Sequence, residues 1–476
     1  MFDITVIGGG IVGGLILREL TRYRLRVCLV EKENDVCMGA SKANSGIVHA
    51  GYDAQPNTLK ARFNVLGNCM MPKLAAELGV KFYQNGSLVV AFEKSELQTL
   101  WELKARGEEN GVSDLQILDA EQLRELETNV SPAAIAALYA PSAGIVCPYE
   151  LTIAAVGNAM DNGAELYVNF EVEKIAFDGD SYTLYAIDGR QVKTHLVINC
   201  AGLQAGKVAT LFGDSHIDVH ARKGEYILLD RESGDFIKHT LFFTPSKKGK
   251  GVLLTPTVDG NIMFGPTSEE TENPSTDTTS QGLEQIINKV KQMCPNPPLY
   301  NTITSFAGIR AYSSKHDFIL EESVHSKGVF HCAAIESPGL TCAPAIAPYV
   351  VDNFVTKYCA LTENKEFNGT RKPSSAFKDL SVIEKNAIIS HDPAFGRIIC
   401  RCEQVTEGEI LRAIHENPPA RDVDGVKRRT RSGLGRCQGG FCQPQIVEIL
   451  AREWKLSPEE ITKKGGRSTL LTGVTK

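Results

Sequence analysis

The chain opens on Phe2-Asp-Ile-Thr-Val-Ile7, a short, mostly apolar run. Such a run predicts a strand in the interior of a sheet. Gly8 to Gly14 form a glycine turn, Leu15–Tyr23 has helical spacing, and Arg26–Glu31 is a second strand. Strand, glycine turn, helix, strand is the opening of a parallel α/β sheet. Further on, helical stretches near 92–110 and 150–163 alternate with strand-like runs at Tyr226–Leu229 and Gly251–Thr255. A strand near Leu196–Asn199 ends in Asn-Cys-Ala-Gly, and another starts after Gly328 and meets Glu336-Ser-Pro-Gly. Strands that end in glycine turns yet lie far apart predict one sheet assembled from distant segments.

Residues 362–380 are polar and turn-rich, which marks a break. Beyond it, Thr406 and Glu409 form a capping-box pattern opening a helix to about Glu416. A second helix is expected at 443–454, and Ser457-Pro-Glu-Glu460 opens a short third. The resulting organisation is a large unit at 1–365, a linker at 366–395, a small unit at 396–450 and a helical tail at 451–476.

Composition changes this picture little. The 476 residues are 42% hydrophobic and 23% charged, with a formal net charge of −6. That is ordinary globular composition and speaks against a nucleic-acid binder. No leader-like N-terminus and no long apolar span is visible, which leaves only peripheral membrane contact open. Thirteen cysteines then point to a reducing cytoplasm. Nine are scattered from Cys28 to Cys359, as small buried hydrophobes are; four are bunched as Cys400, Cys402, Cys437 and Cys442.

Gly8-Gly-Gly10-Ile-Val-Gly13 satisfies G-x-G-x-x-G. Gly8 permits the tight turn, Gly10 lets backbone approach a pyrophosphate, and Gly13 allows close helix–sheet packing. Glu31 follows Gly13 by 18 residues at the end of the next strand, where an acid can accept from ribose hydroxyls. The alternative is an incidental glycine turn beside a surface glutamate. The following loop, Gly39 to Gly51, is small and polar, with His49 between small residues. Such a loop can wrap a large rigid ligand closely.

With this loop the sequence resembles the FAD-dependent oxidoreductases of the D-amino-acid oxidase/glycerol-3-phosphate dehydrogenase group. The resemblance spans about 1–355 and rests on the glycine motif with Glu31, Asn44-Ser45-Gly46-x-x-His49, Asn199-Cys-Ala201-Gly202, Phe306-Ala-Gly308-Ile-Arg310 and Ser337-Pro-Gly339-Leu340-Thr341. It implies a Rossmann-like FAD-binding domain with an interleaved antiparallel-sheet substrate domain. Gly8, Gly10, Gly13, Glu31, Lys32, Ser41, Asn44, Ser45, Val172, Ala201 and Gly202 are then expected around FAD. Gly308, Gly339, Leu340 and Thr341 are expected at its isoalloxazine.

By the same resemblance His49 lies by the flavin ring, where it takes a hydroxyl proton as hydride passes to N5, or only packs against the ring. Arg310 faces a substrate anion, or forms a structural ion pair. Arg222, Lys223, Glu225 and Tyr226, on a strand that borders the substrate chamber in the family, read as surface or support residues rather than catalysts. The whole architecture is similar to the anaerobic glycerol-3-phosphate dehydrogenase large subunit, whereas the loop is similar to L-2-hydroxyglutarate oxidases. Tyr52-Asp53 stands where glycerol-3-phosphate enzymes carry Leu-Arg. Both substrates are secondary alcohols with an anionic end, and glycerol 3-phosphate leads. An amine or imino-acid dehydrogenase and a non-catalytic redox carrier or sensor are the rivals.

Cys400-x-Cys402 and Cys437-x4-Cys442 supply four thiolates, the number a 2Fe–2S cluster needs. Zinc is the alternative, but its pairs are usually spaced by two to four residues. The segment resembles the bacterioferritin-associated ferredoxin-like 2Fe–2S domain, implying a small helical cluster unit. A flavin takes two electrons together and such a cluster passes them singly, so a second flavoprotein or electron-acceptor subunit is the expected partner. The basic run Lys427, Arg428, Arg429, Arg431 balances the cluster, docks an acidic partner, or is a solvated face.

Overall fold

Phe2–Ile7 is buried along nearly its whole length and Val27–Val30 is buried throughout. The two run parallel, with Ile4 opposite Val27 and Ile7 opposite Val30. Gln191–Asn199 joins the other side of the first strand, and Val329–Ala333 joins that in turn. Glu165–Tyr167 extends the sheet past Val27–Val30. These five strands are parallel and come from both ends of the large unit, as the glycine-ended strands imply. Antiparallel strands Val172–Phe177, Tyr182–Ala186 and Ile319–Glu322 complete eight. The computed structural model describes residues 1–245, 251–372 and 376–473. Part of the expected linker, 373–375, and of the tail, 474–476, lies outside the described residues.

The helix after the glycine turn begins at Ile11 rather than Leu15. Gly13 and Gly14 are glycines for packing, not for turning. A Cβ on Gly13 would lie 2.1 Å from the Gly8 carbonyl oxygen, and one on Gly14 would lie 2.9 Å from Val156. The helix is thereby pressed onto the sheet and onto helix Pro148–Asp161.

A second sheet of nine strands is built around the long pairing of His220–Leu229 with Thr302–Tyr312. Its strands come from 87–140 and from 220–312, so the two sheets are interleaved along the chain. The expectation of an antiparallel sheet holds except for Thr240–Phe243, which runs parallel to Ser87–Ala91. These two come from distant segments, so no hairpin dictates their direction. Amphipathic Ser280–Met293 covers one face with Ile286, Val290 and Met293.

Among the helices not read from the sequence, two are hidden by prolines. Leu59–Glu77 contains Pro72, and Gly339–Val350 contains Pro344 and Pro348, which disguise both. They cross tightly at Gly67, where a Cβ would lie 1.9 Å from the Thr341 carbonyl oxygen.

The stretch 366–395 is not a plain linker. Helix Val382–His391 occupies it, opened by a Ser381/Glu384 capping box. The chain just before is strapped to the large unit: Asn364 N–H donates to Arg22 O at 2.7 Å and Arg18 Nη2 to Gly369 O at 2.8 Å. The cysteine unit has a short hairpin, Ile398–Cys400 with Val405–Thr406, and helices Glu407–His415, Val423–Thr430 and Gln443–Trp454. Ile410, Ile414, Val426, Ile446 and Leu450 form its core. Among the described residues the tail after it is not helical beyond Pro458–Glu460. Gly465 and Gly466 take positive φ and turn the chain back, so that Thr462 pairs with Thr469.

Candidate functional site

The dinucleotide cradle lies at the carboxyl ends of the parallel strands, where ligands of such sheets bind. Gly8 has φ +107°, and a Cβ there would strike the Cys200 carbonyl oxygen at 2.4 Å. The two turns that close the cradle, Gly8–Gly10 and Cys200–Gly202, are thus in direct contact. Asn199 Oδ1 holds the Ala201 N–H at 3.2 Å. Gly10 caps the helix Ile11–Leu20, whose first N–H groups lack intrahelical acceptors and present a positive dipole end to an anion. Ser41 Oγ accepts from Ile11 N–H at 2.9 Å.

Glu31 is buried at the end of the second strand. Its carboxylate accepts from Gly9 N–H at 2.7 Å and Glu33 N–H at 2.9 Å. Burial pushes its carboxyl up, and these two N–H groups pull it back. Val172 is buried just beyond Phe170, whose N–H reaches the Glu31 carbonyl at 2.7 Å. Lys32 turns away, half-exposed, and pairs with Glu33 at 3.1 Å. Asn44 knits the loop: its Oδ1 accepts from Gly46 N–H at 2.9 Å and its Nδ2 donates to Ala40 and Ser41 carbonyls at 3.0 and 3.1 Å. Ser45 is half-buried within that turn.

The other half of the site is the mouth between the two sheets. A Cβ on Gly308 would lie 2.0 Å from Ala43 O, so the strand Thr302–Tyr312 touches the loop through a glycine. Arg310, two residues on, donates from Nη2 to Thr267 O at 2.9 Å, and its buried Nε makes no hydrogen bond among the described residues. Arg222 is paired with Arg310 across the strands and bonds Glu270 at 3.2 Å; Lys223 bonds Glu225 at 3.0 Å. Tyr226 stacks on Phe306 with ring centroids 4.8 Å apart.

His49 is fixed from three sides. Its N–H donates to Thr341 Oγ1 at 3.0 Å, and its carbonyl accepts from Asn64 and Asn68 at 2.6 and 3.1 Å. Its Nε2 lies 3.5 Å from Ser337 Oγ and its ring packs on Phe242. Gly339, Leu340 and Thr341 open the helix Gly339–Val350 beside it. Asn64, Asn68 and Thr267 were not read from the sequence, because their roles depend on contacts with segments far along the chain. The geometry fits FAD: glycines leave the space, and the helix N-terminus and buried acid suit a pyrophosphate and ribose.

The four cysteines converge in two pairs. Cys402 Sγ lies 3.3 Å from Cys437 Sγ, and Cys400 bonds Cys442. The Cys442 thiol, with N–H groups of Gly433 and Cys402, holds the Cys400 thiol down to about 6 against burial. Against its own desolvation, Cys437 is lowered by Cys402 and by the N–H groups of Phe441 and Gly439. Four sulfurs in two pairs, ringed by backbone donors, fit a 2Fe–2S cluster, which takes four cysteine ligands. Gly433 and Gly439 reach these positions at φ +91° and +92°.

The three arginines of the basic run are not a solvated face, whereas Lys427, partly exposed, pairs with Asp424 on its own helix. Arg428 Nη2 and Arg429 Nη1 reach Asp35 Oδ2 at 2.5 and 2.8 Å, and Arg429 Nη2 reaches Oδ1 at 2.8 Å. Arg431 Nη1 reaches Asp259 Oδ2 at 2.6 Å. Asp35 and Asp259 both lie in the large unit. Among the described residues no helix is long and apolar enough to cross a membrane.

Comparison with known proteins agrees with both halves. Residues 3–353 match the FAD dependent oxidoreductase family, and residues 398–452 the BFD-like 2Fe-2S binding domain. A protein of Caloramator mitchellensis named glycerol 3-phosphate dehydrogenase is 46% identical over 100% of this chain and 99% of its own length. The mitochondrial L-2-hydroxyglutarate dehydrogenase of Pongo abelii is 28% identical over 75% of this chain and 88% of its own. The solved L-alpha-glycerophosphate oxidase of Mycoplasma pneumoniae, with FAD bound, superposes with a TM-score of 0.73 at 29% identity, covering 78% of this chain and 98% of that one. A cradle, a mouth between sheets and a paired-thiol module, matched in this order along the chain, make it a member of the FAD dependent oxidoreductase family that carries FAD and a C-terminal 2Fe–2S domain.

Proposed function

We propose that the chain is a glycerol-3-phosphate dehydrogenase, oxidising the secondary alcohol to dihydroxyacetone phosphate and delivering the electrons through its cluster. The observation that carries this reading is the full-length likeness, cluster module included, to a chain named glycerol 3-phosphate dehydrogenase. FAD supplies a two-electron acceptor, and the cluster a one-electron outlet.

The chain's own residues account for the rest. Arg310, steadied by the bond from its Nη2 to Thr267 O, offers its guanidinium charge to the phosphate. His49, its backbone bonded to Thr341, Asn64 and Asn68, takes the hydroxyl proton at Nε2, the nitrogen near Ser337. In this reading Gly8, Gly10, Gly13, Glu31, Ser41, Asn44, Ala201 and Gly202 hold the dinucleotide, and Gly339 to Thr341 line its ring. Cys400, Cys402, Cys437 and Cys442 ligate the cluster. A cytoplasmic setting and a separate electron-accepting subunit belong to the same proposal.

L-2-hydroxyglutarate is the second reading, favoured by Tyr52-Asp53 after the His49 turn. Anaerobic mixing of the yellow protein with glycerol 3-phosphate, L-2-hydroxyglutarate and N-alkyl amino acids decides between them. Glycerol 3-phosphate is expected to bleach the flavin at the lowest concentration. Bleaching by another compound alone rejects the substrate, and bleaching by none rejects catalysis in favour of a carrier.

A further inference from the structure

Arg431 stands at the seam between the flavin unit and the cluster unit. It ends the helix Val423–Thr430 in a left-handed conformation, φ 67°, which a non-glycine residue adopts only when held there. Three bonds hold it. Its Nε donates to Glu403 Oε2 at 2.9 Å, its Nη1 to Asp259 Oδ2 at 2.6 Å and its Nη2 to Asn261 Oδ1 at 2.9 Å.

Each end of this fork reaches toward a redox site. Glu403 follows Cys402, and Gly433, two residues past Arg431, bonds the Cys400 sulfur. On the other side, Asp259 and Asn261 belong to the turn between Leu253–Pro256 and Ile262–Gly265 of the large sheet. Asp259, Glu150 and Cys147 gather their polar atoms within 4.8 Å of one another, and the guanidinium of Arg431 supplies their positive charge. Cys147 follows Val146, whose N–H donates to Gly46 O at 2.9 Å, in the loop that wraps the flavin. Contacts therefore run without a break from Gly46 through Val146, Cys147, Asp259, Arg431 and Glu403 to Cys402.

We propose that Arg431 is a positioning residue for electron transfer: its fork to Asp259, Asn261 and Glu403 holds the cluster-ligating loop in register with the flavin loop. The step served is the passage of electrons from reduced flavin to the oxidised cluster, one at a time. Two such transfers return the flavin to its oxidised form, and a one-electron acceptor in solution takes them from the cluster. The inference rests on the FAD and cluster assignments and not on the identity of the substrate.

The test uses the full chain with FAD and cluster reconstituted. Asp259→Asn alters the seam from the flavin unit, away from the four ligands. Arg431→Gln removes the fork itself. The flavin is reduced anaerobically with glycerol 3-phosphate and, separately, by light with EDTA. Flavin bleaching is expected at the parent rate in both variants, with cluster reduction slowed about tenfold or more, as for other misplacements of reacting groups. Arg431→Lys is expected to stay slow, because a point charge does not make the three-way fork. Hydrogen exchange on the cofactor-free chains is expected to rise together at 257–261 and 398–403. Cluster reduction at the parent rate in Asp259→Asn overturns the proposal, as does exchange that rises on one side only. If glycerol 3-phosphate fails to bleach the parent while light-reduced flavin shows the slow transfer, the substrate reading falls and this one is upheld.

Discussion

Replacing Asp35 by Asn is expected to loosen the cluster unit without unfolding the rest. Asp35 is a buried carboxylate between two guanidiniums, its side chain 4% exposed and those of Arg428 and Arg429 both 7%. It accepts three of their N–H groups, two of them from Arg429 as a fork. Against burial, Arg429 and then Arg428 hold its carboxyl below the usual range, so the charged form is the stable one. Asparagine keeps the shape and removes the charge, leaving two desolvated cations facing a neutral amide. Breaking a buried pair from one side costs about 3–5 kcal/mol. The loss should fall on the docking of helix Val423–Thr430, because both guanidiniums that Asp35 holds belong to it.

Native-state hydrogen exchange against urea measures this directly. The parent is expected to protect 423–430 nearly as well as the large unit, and Asp35→Asn to open that segment at about 3–5 kcal/mol less. Added salt should not reproduce the effect, since buried pairs are poorly screened. Nor should pH near neutral. The Asp35 contribution is fully present above its ordinary carboxyl range and is lost only as pH falls through the lower folded value. Replacing Arg428 and Arg429 by Met in a chain that already carries Asp35→Asn removes the stranded charges and should recover most of the stability. Exchange in Asp35→Asn within about 0.5 kcal/mol of the parent would refute the reasoning, since that is the scale of a surface change.

Gly308→Ala places a methyl where Ala43 O stands and is expected to abolish the yellow colour while far-ultraviolet dichroism is retained. Arg310→Lys keeps the charge but loses the fork; KM for glycerol 3-phosphate should rise by about tenfold or more with a smaller fall in kcat, read from steady-state assays. Burial, then Asp259, raises the Glu150 carboxyl from 4.5 to about 7. The folded chain therefore binds the extra proton between those values, and stability falls as pH rises through that window. The loss is at most about 3 kcal/mol, and Glu150→Gln should flatten that slope in a series of melting curves.

What the sequence discloses is what acts locally. Gly8 to Gly13 and Glu31 form one strand, turn, helix and strand, and their task is to shape backbone, so spacing alone reports it. The four cysteines are legible for the same reason. The start of the first helix is not, because Gly13 and Gly14 answer to the Gly8 carbonyl and to Val156, and a glycine required by a distant neighbour looks like one required by a turn. The posture of His49 is hidden likewise: Asn64 and Asn68 sit on a helix with an internal proline, and Thr341 lies 292 residues away.

The basic run shows the physical limit. Three arginines near one helix end read equally as solvated or docked, because the difference is the cost of desolvation, and that depends on what lies opposite. The partners are 394 and 172 residues distant, for Asp35 and Asp259 respectively. Asp35, in the polar string Glu31-Lys-Glu-Asn-Asp35, has no local mark of burial. An isolated carboxylate there would stay in water, and so would isolated guanidiniums. Each becomes tolerable inside only because the other arrives with matching charge and geometry. Burial at this seam is thus a property of the pair, set when the two units dock, and a reading of either segment alone lacks the quantity that decides it.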